Sequence, residues 1–340
     1  MSQRKAVKPI LATAAMREET GLMQGARRAD DEVVQAAWLY YVGHLNQQQV
    51  SDRLGVSRFK VNRMLADARE QGLVRIAVEH RTSRTLALAD RLAEAFGLRE
   101  VQVAPVPVPT AGHDYERAAV GILAATYLTR IAGGDRELVI GVGWGRTLSA
   151  MADNLAGLAN RQLTFVSLMG SVTHASRTAP GDVCVRLATQ TGGRAVLLPA
   201  PFVADDPEAC SRILDQRLVR DALDVARGAD HALMSVGECR DGAILFESGL
   251  FSAAQMAELN ANNVVGDCCG VFYTAEGEVA DIPLNRCTPC VKPSEMAAMD
   301  VVVTAGGLTK AAATLAVLRA GFVDRLIVDE TLAGAILERV

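Results

Sequence analysis

Six short apolar runs, separated by segments of helical pattern, constrain how residues 114–340 can fold. A strand that is buried on both faces of a sheet is typically a continuous apolar run. Helices between successive strands make crossover connections, which are right-handed and leave the strands parallel. We therefore predict an α/β domain with a mostly parallel, doubly wound sheet, its strands within 138–143, 163–169, 195–200, 231–237, 301–306 and 325–330.

The chain of 340 residues is long enough for two domains. Hydrophobic residues make up 50% and charged residues 22%, which excludes global disorder. No run reaches the roughly 18 apolar residues that a membrane helix needs, and the polar, basic N-terminus does not resemble a secretory leader. With an odd count of seven cysteines, these features predict a cytoplasmic protein with reduced thiols and no membrane partner.

Charge is divided unevenly along the chain. Residues 1–76 contain twelve Lys and Arg against eight Asp and Glu, whereas the rest of the chain is acidic. A basic segment of this kind fits nucleic acid only if it also has a shape that enters a groove. Residues 1–29, which lack sustained apolar periodicity, are predicted to be a flexible basic extension.

A helix-turn-helix is predicted within residues 30–82. Its first helix starts with acidic residues, which favour a helix N-terminus, and has an apolar stripe of Val33, Val34, Ala37, Trp38 and Tyr41. Asn46 can cap the next helix, Gly55 permits a tight turn, and Ser57 can cap the helix that follows. That last helix has an apolar stripe opposite a basic and polar face.

The basic face favours DNA binding in a major groove over the alternative, an ordinary helical hairpin with a solvated face. The segment GLVRIAVEH (72–80) is predicted to add a strand pair or wing, so the domain is of the winged type. The residues predicted to contact DNA are Gln47, Ser57, Arg58, Phe59, Lys60, Asn62 and Arg63.

Residues 83–113 are predicted to connect the two domains. The segment 83–97 is an amphipathic helix, suited to joining the domains or to self-association. Three prolines at alternate positions in VQVAPVPVPTAG (101–112) exclude a central strand and predict a semi-rigid passage. The effector domain follows from residue 114.

A glycine-rich loop after the strand 138–143 is the first candidate ligand site. Glycines at a strand-to-helix turn let backbone N–H groups converge on an anion. The dinucleotide fingerprint fails because Arg146 occupies its third glycine position, which favours a phosphate or polyol cradle over NAD. A turn that only packs helix against sheet is the alternative. The candidate residues are Gly143, Trp144, Gly145, Arg146 and Thr147.

Two more loops lie where parallel sheets bind ligands, beyond the strands' carboxyl ends. Gly306 and Gly307 precede Lys310, a cation in the first turn of a helix, where it opposes the helix dipole and suggests an anionic ligand. Asp267 lies in a turn and suits sugar hydroxyls. A solvated lysine and a turn-forming aspartate are the alternatives.

Other chemistry is not indicated. Cys287 and Cys290 have metal-ligand spacing, but no second such pair or suitably spaced histidine accompanies them, so buried thiols are favoured over zinc. Nucleophile-elbow, Walker A and HExxH patterns are absent. We predict no catalytic residues, no metal and no cofactor.

Six segments follow one another along the chain: NQQQVSDRLGVSRFKVNRMLADAREQGLVRI, GVGWGRTL, LPAPFVAD, ADHALMSVG, VVGDCCGVFYTAEG and TAGGLTKAAATLAVLRAGFVDRLIVDE. In this order they resemble the SorC family of bacterial transcriptional regulators, and the resemblance covers about residues 30–340. The resemblance implies a sugar-binding domain similar in fold to sugar-phosphate isomerases, tetrameric assembly, and effector roles for the 141–148 loop, Asp267 and Lys310.

Two segments depart from the family pattern. Arg58-Phe59-Lys60 replaces the smaller residues common at the start of the recognition helix. The segment 171–188 lacks a frequent asparagine-containing pattern, and Arg177 and Asp182 are its candidate ligand contacts.

The expected function is regulation of a carbohydrate or polyol catabolic operon by an oligomer that binds operator DNA and a sugar, polyol or sugar-phosphate effector. The alternatives are a sugar-phosphate isomerase- or deaminase-like enzyme with an accessory helical head, and a structural adaptor.

Overall fold

The computed structural model describes residues 31–74, 83–106, 113–172, 179–240, 243 and 251–340. The chain divides into two compact units, Met1–Val78 and Glu79–Val340. Several predictions lie wholly or largely outside the described residues: the 1–29 extension, the wing, the prolines at 107 and 109, and Arg177.

The smaller unit, here called the head, contains three helices. Helix α1 covers residues 31–42 and ends in a π-helical turn, Trp38–Val42. Helix α2 is Gln47–Leu54, with Asn46 and Gln49 forming a reciprocal capping box. Gly55 follows with a φ of 64°, and the Ser57 side chain caps helix α3, Arg58–Glu70. The predicted helix, turn and helix are confirmed.

The apolar stripe predicted for α1 is partly wrong. Val33 and Ala37 are buried as predicted, together with Ala36, but the side chains of Val34 and Trp38 are 48% and 64% exposed. Two apolar stripes adjoin on this helix, and the one with the small residue Ala36 faces the core. The buried side chains of the head core are Val33, Ala36, Ala37, Val50, Val61, Met64, Leu65 and Ala68.

The larger unit is built on a nine-stranded sheet. Seven strands are parallel, in the order β1-β9-β8-β5-β2-β3-β4, and β6 and β7 form an antiparallel hairpin on β5. The strands are β1 Glu100–Ala104, β2 Leu138–Val142, β3 Leu163–Ser167, β4 Arg194–Val196, β5 His231–Glu238, β6 Val264–Cys268, β7 Val271–Thr274, β8 Asp300–Ala305 and β9 Arg325–Asp329.

Helices cover both faces of this sheet, so the doubly wound α/β prediction is confirmed. Successive residues of a strand enter different cores: Leu233 belongs to one cluster, and Ala232 and Met234 to the other. The helices are α4 Ser83–Phe96, α5 His113–Ala132, α6 Arg146–Asn154, α7 Pro180–Thr191, α8 Pro207–Leu214, α9 Arg217–Arg227, α10 Ala253–Ala261, α11 Ala311–Arg319 and α12 Glu330–Leu337; 3₁₀ turns occupy Pro283–Arg286, Pro293–Glu295 and Leu308–Lys310.

Residues 83–106, predicted as part of a connecting segment, belong to the larger unit. Leu92 of α4 is fully buried in its core, and Arg84 pairs with Glu330 at 2.8 Å. The semi-rigid passage predicted from residue 101 is wrong for residues 101–104, which pair with β9 in strand β1. Because β1 is an edge strand that ends at Ala104, Pro105 interrupts no ladder.

Candidate effector pocket and DNA-facing helix

A cavity with an empty volume of about 550 Å³, its open mouth included, lies at the carboxyl ends of β2 and β5. Open α/β sheets bind ligands at this edge. The cavity brings together five of the nine effector residues predicted from sequence: Trp144, Gly145, Arg146, Asp267 and Lys310. Its other lining residues are Met169, Ser235, Val236, Gly237, Glu238, Ala243 and Cys269.

The loop after β2 forms one wall of the cavity, and it lies in close contact with β5. The Ser235 hydroxyl donates to the Trp144 carbonyl at 2.6 Å. Gly145 has a φ of 149°, and a Cβ there would lie 1.9 Å from Ser235 Oγ, so the approach requires glycine. The Trp144 ring packs edge-on against Phe202, with centroids 5.1 Å apart. An aromatic side chain is thus held at the cavity wall.

Lys310 and Asp267 supply buried groups of opposite charge. Lys310 Nζ donates to the Val236 carbonyl at 2.7 Å; burial lowers its pKa to about 8, against the effect of the Glu238 carboxylate. Asp267 Oδ2 accepts from the Gly270 N–H at 3.3 Å; burial raises its pKa to about 6, against that hydrogen bond and the charge of Lys310. The cavity therefore offers a strong donor and a strong acceptor in a desolvated setting.

Sequence reasoning missed Glu238 and Ser235. Glu238 is only 8% exposed, accepts a hydrogen bond from the Thr309 hydroxyl, and pairs with Arg240 at 2.9 Å. Both residues belong to the segment that forms β5, whose carboxyl end lies at the ligand-binding edge. That position is the signal that could have found them.

Four predicted effector residues lie outside the cavity lining: Gly143, Thr147, Gly306 and Gly307. The Gly307 N–H donates to Asp329 Oδ2 at 2.7 Å, and a Cβ at Gly306 would lie 3.1 Å from the Arg117 backbone. Thr147 is fully buried. These contacts hold the Gly306–Gly307 turn against the backbone of Arg117 and against Asp329. The solvated lysine that was the alternative for this loop is wrong, because Lys310 is buried. Asp182, the candidate contact in α7, is not part of the lining.

The free face of α3 is solvent-exposed, as DNA contact requires. Arg58, Phe59, Lys60, Asn62 and Arg63 are all exposed, and Phe59 is 81% exposed. Four predicted DNA contacts, Gln47, Ser57, Arg58 and Lys60, also make interactions within the head: the Ser57 hydroxyl accepts from the Lys60 N–H. Arg58 Nε donates to Gln47 Oε1 at 3.3 Å, and Lys60 Nζ pairs with Glu32 at 2.7 Å.

All seven cysteines are free thiols, and six of them are buried. Burial raises the pKa of Cys287 and of Cys290, as expected for buried thiols. Over the described residues, no group of histidine, cysteine and acidic side chains could hold a metal ion. No helix in the same part of the chain is long and apolar enough to span a membrane.

Comparison with known proteins shows which class of protein combines these two sites. Residues 80–338 match the family model of a sugar-binding domain, Sugar-bind. The erythritol catabolism regulatory protein EryD of Brucella abortus is 33% identical over 91% of this chain and 97% of its own length. The deoxyribonucleoside regulator of Bacillus subtilis is 30% identical over 89% of this chain and 96% of its own length.

The full-length sorbitol operon regulator SorC of Klebsiella pneumoniae has a similar structure, with a TM-score of 0.66, 26% identity, and coverage of 91% of this chain and 99% of its own. The fold and the pocket define a transcriptional regulator with a sugar-binding domain. The chain belongs to the SorC family of such regulators.

Proposed function

We propose that this protein regulates transcription of a carbohydrate or polyol catabolic operon, with α3 binding operator DNA and the cavity binding a sugar or polyol effector. One observation carries the proposal: a single chain combines an exposed basic helix with a cavity that contains Asp267, Lys310 and an aromatic wall. Relatives named for erythritol catabolism, deoxyribonucleosides and the sorbitol operon support this class of effector.

Operator recognition is assigned to residues at the N-termini of α2 and α3 and on the exposed face of α3. Arg58, Asn62 and Arg63 reach base edges or phosphates, Lys60 adds a phosphate contact when it leaves Glu32, and Phe59 can reach a thymine methyl. Gln47 holds Arg58 at the start of α3, and Ser57 fixes the helix end. One short helix makes few contacts, so the active form is an oligomer that pairs two heads on half-sites. A homotetramer in the cytoplasm fits this scheme.

Control by the effector requires that the ligand bind one arrangement of the oligomer more tightly than another. Trp144, Gly145, Arg146, Asp267 and Lys310 make the direct contacts in this proposal. Those contact residues are positioned by four neighbours that lie outside the cavity lining: Gly143, Thr147, Gly306 and Gly307. No cofactor, metal or catalytic residue is required.

The test is a titration of the native promoter region with full-length protein, with and without sugars and polyols. Arg63→Ala should weaken operator binding and leave effector affinity unchanged; Arg286→Ala, a control at an exposed arginine of the larger unit, should change neither. Undiminished operator binding by Arg63→Ala would contradict the assigned DNA face. Steady turnover of sugar phosphates by the purified protein would instead favour the isomerase- or deaminase-like alternative.

A further inference from the structure

The arginine at the start of α3 is held by an uncharged side chain from α2. Arg58 is the first residue of α3, and Gln47 is the first residue of α2. Arg58 Nε donates to Gln47 Oε1 at 3.3 Å. Because a guanidinium has donors only, the amide oxygen of Gln47 must face it, and the amide Nε2 faces away. The contact therefore sets the orientation of both side chains at the end of the helix assigned to DNA.

This contact leaves the far end of the guanidinium free. Within the described residues neither Nη atom of Arg58 makes a hydrogen bond, and the side chain is exposed. Lys60, on the same face, is instead paired with the carboxylate of Glu32. A carboxylate offsets the charge that attracts DNA, whereas the amide of Gln47 leaves the charge of Arg58 in place. A side chain that is already ordered also loses less conformational entropy on binding.

The two free Nη groups match one base in the major groove. Guanine presents two neighbouring acceptors there, O6 and N7, and an arginine binds both at once. Adenine presents N7 beside its N6 amino group, so one N–H of Arg58 would meet another donor. The first turn of the second helix is also the part of a helix-turn-helix that contacts base edges. The position and the remaining donors of Arg58 therefore both fit guanine.

Other donors beside Arg58 suit the DNA backbone. Tyr40, Tyr41 and Gln47 line an open groove on the head, and Arg58 lies at the same groove. Tyrosine hydroxyls and glutamine amides commonly donate to phosphate oxygens. Within the described residues, the Nε2 atom of Gln47 keeps both of its N–H groups for such a contact. The backbone can thus be held here without the guanidinium, which stays available for a base.

Resting on the proposed function, we infer that Arg58 selects a guanine in each operator half-site by donating from Nη1 and Nη2 to its O6 and N7, and that Gln47 is the positioning residue for this contact. Gln47 acts through Arg58 and needs no base contact of its own. The proposed function requires only that the exposed face of α3 bind operator DNA, so the choice of guanine is tested separately.

The experiment starts from DNA duplexes that the full-length protein selects from a random library. Each half-site should contain a guanine whose replacement by adenine weakens binding by about 5- to 150-fold. Replacement by 7-deazaguanine, which lacks the N7 acceptor, should also weaken binding, whereas hypoxanthine, which keeps O6 and N7, should bind as guanine does. Arg58→Ala should bind the four bases at this position about equally and keep its preferences elsewhere.

Variants of Gln47 test the positioning role. Gln47→Ala should reduce the preference for guanine over adenine at this one position by about 2- to 10-fold. Gln47→Glu keeps an acceptor for Arg58 and should restore the preference, although its charge lowers affinity for every duplex. Gln48→Ala is the matched control, because it removes the next amide of the same helix turn, which bonds Asp52 at 2.9 Å, and it should leave the preference unchanged.

The possible failures are distinguishable. If Arg58→Ala weakens every duplex by the same factor and leaves all base preferences in place, Arg58 is a phosphate contact; that result overturns the inference and leaves the regulator function standing. Loss of a preference for a base other than guanine overturns it equally. An unchanged guanine preference in Gln47→Ala would overturn the positioning role. Failure to bind any duplex, the native promoter region included, would overturn the proposed function as well.

Discussion

Asp267 makes effector binding depend on pH. Burial raises its pKa to about 6. In the ionised form both carboxylate oxygens accept hydrogen bonds from hydroxyl groups, whereas protonation turns one of them into a donor. As pH falls through 6, the group protonates and effector affinity should fall, by about ten-fold at one pH unit below. Lys310, with a pKa lowered to about 8, keeps its charge up to that value. Affinity should therefore be greatest between about pH 6 and 8.

Calorimetric titrations from pH 5 to 9 measure this dependence. Asp267→Asn should remove the acidic limb of the profile and leave the alkaline limb in place. A profile that stays flat from pH 7 to 5 would show that Asp267 does not bind the ligand through its ionised form.

Gly145 is a second residue whose role can be isolated. Alanine there meets Ser235 Oγ at 1.9 Å and also adopts a φ of 149° that L-residues rarely take. Gly134→Ala is a matched control, because its φ is 83° but nothing lies within 4 Å of the added Cβ. The control should lose about 1–2 kcal/mol of stability from backbone strain alone.

Gly145→Ala should lose more stability than the control and should also lose effector affinity, because the shifted loop carries Trp144. Thermal unfolding and ligand titration measure the two effects. Equal stabilities for the two variants, with effector affinity retained, would show that the loop relaxes without disturbing the cavity.

At the scale of elements, the start of α3 depends on one cap. The Ser57 hydroxyl accepts from the Lys60 N–H at 3.2 Å, at the end of the helix assigned to DNA. Ser57→Ala should cost about 1 kcal/mol of head stability and weaken operator binding, whereas Ser57→Thr keeps the cap. Hydrogen exchange of α3 amides and operator titrations measure both. Unaltered exchange in Ser57→Ala would mean that packing alone fixes this helix end.

Elements buried on both faces could be predicted from sequence, and elements at the margins could not. The five central strands, β9, β8, β5, β2 and β3, appear as apolar runs because neither face meets water. The sixth predicted run, 195–200, overlaps only β4, Arg194–Val196, an edge strand with exposed residues. Strand β1 was missed because the prolines that follow it resemble a linker. The β6–β7 hairpin was missed because its turn residues, Cys269 and Gly270, both with positive φ, replace the common Asn-Gly pair.

The candidate site shows the same division. Trp144, Gly145, Arg146 and Lys310 were found because they follow strand-like runs, and the loops after parallel strands meet at one edge. Asp267 was predicted to lie in a turn, but it lies in β6, two residues before Cys269 of the hairpin turn. Glu238 lies inside a strand that extends beyond its apolar run. Its place at the carboxyl end of a strand makes it a candidate, but nothing in the sequence tells whether such a terminal side chain points to the cavity or to a core. Of the two carboxylates in the cavity lining, Glu238 therefore required the structure.

At the scale of the whole molecule, the affinity for DNA should depend steeply on salt and the affinity for the effector should not. DNA binding by two heads that each bring Arg58, Lys60 and Arg63 to the duplex displaces the counterions of about six phosphates, which gives a slope of log affinity against log salt of roughly −5. An uncharged effector in a desolvated cavity releases no counterions, so its affinity should stay nearly constant. Operator and effector titrations over a salt range of about 50 to 300 mM compare the slopes. A steep loss of effector affinity would indicate a charged ligand, because only a charged group couples its binding to the ions around it.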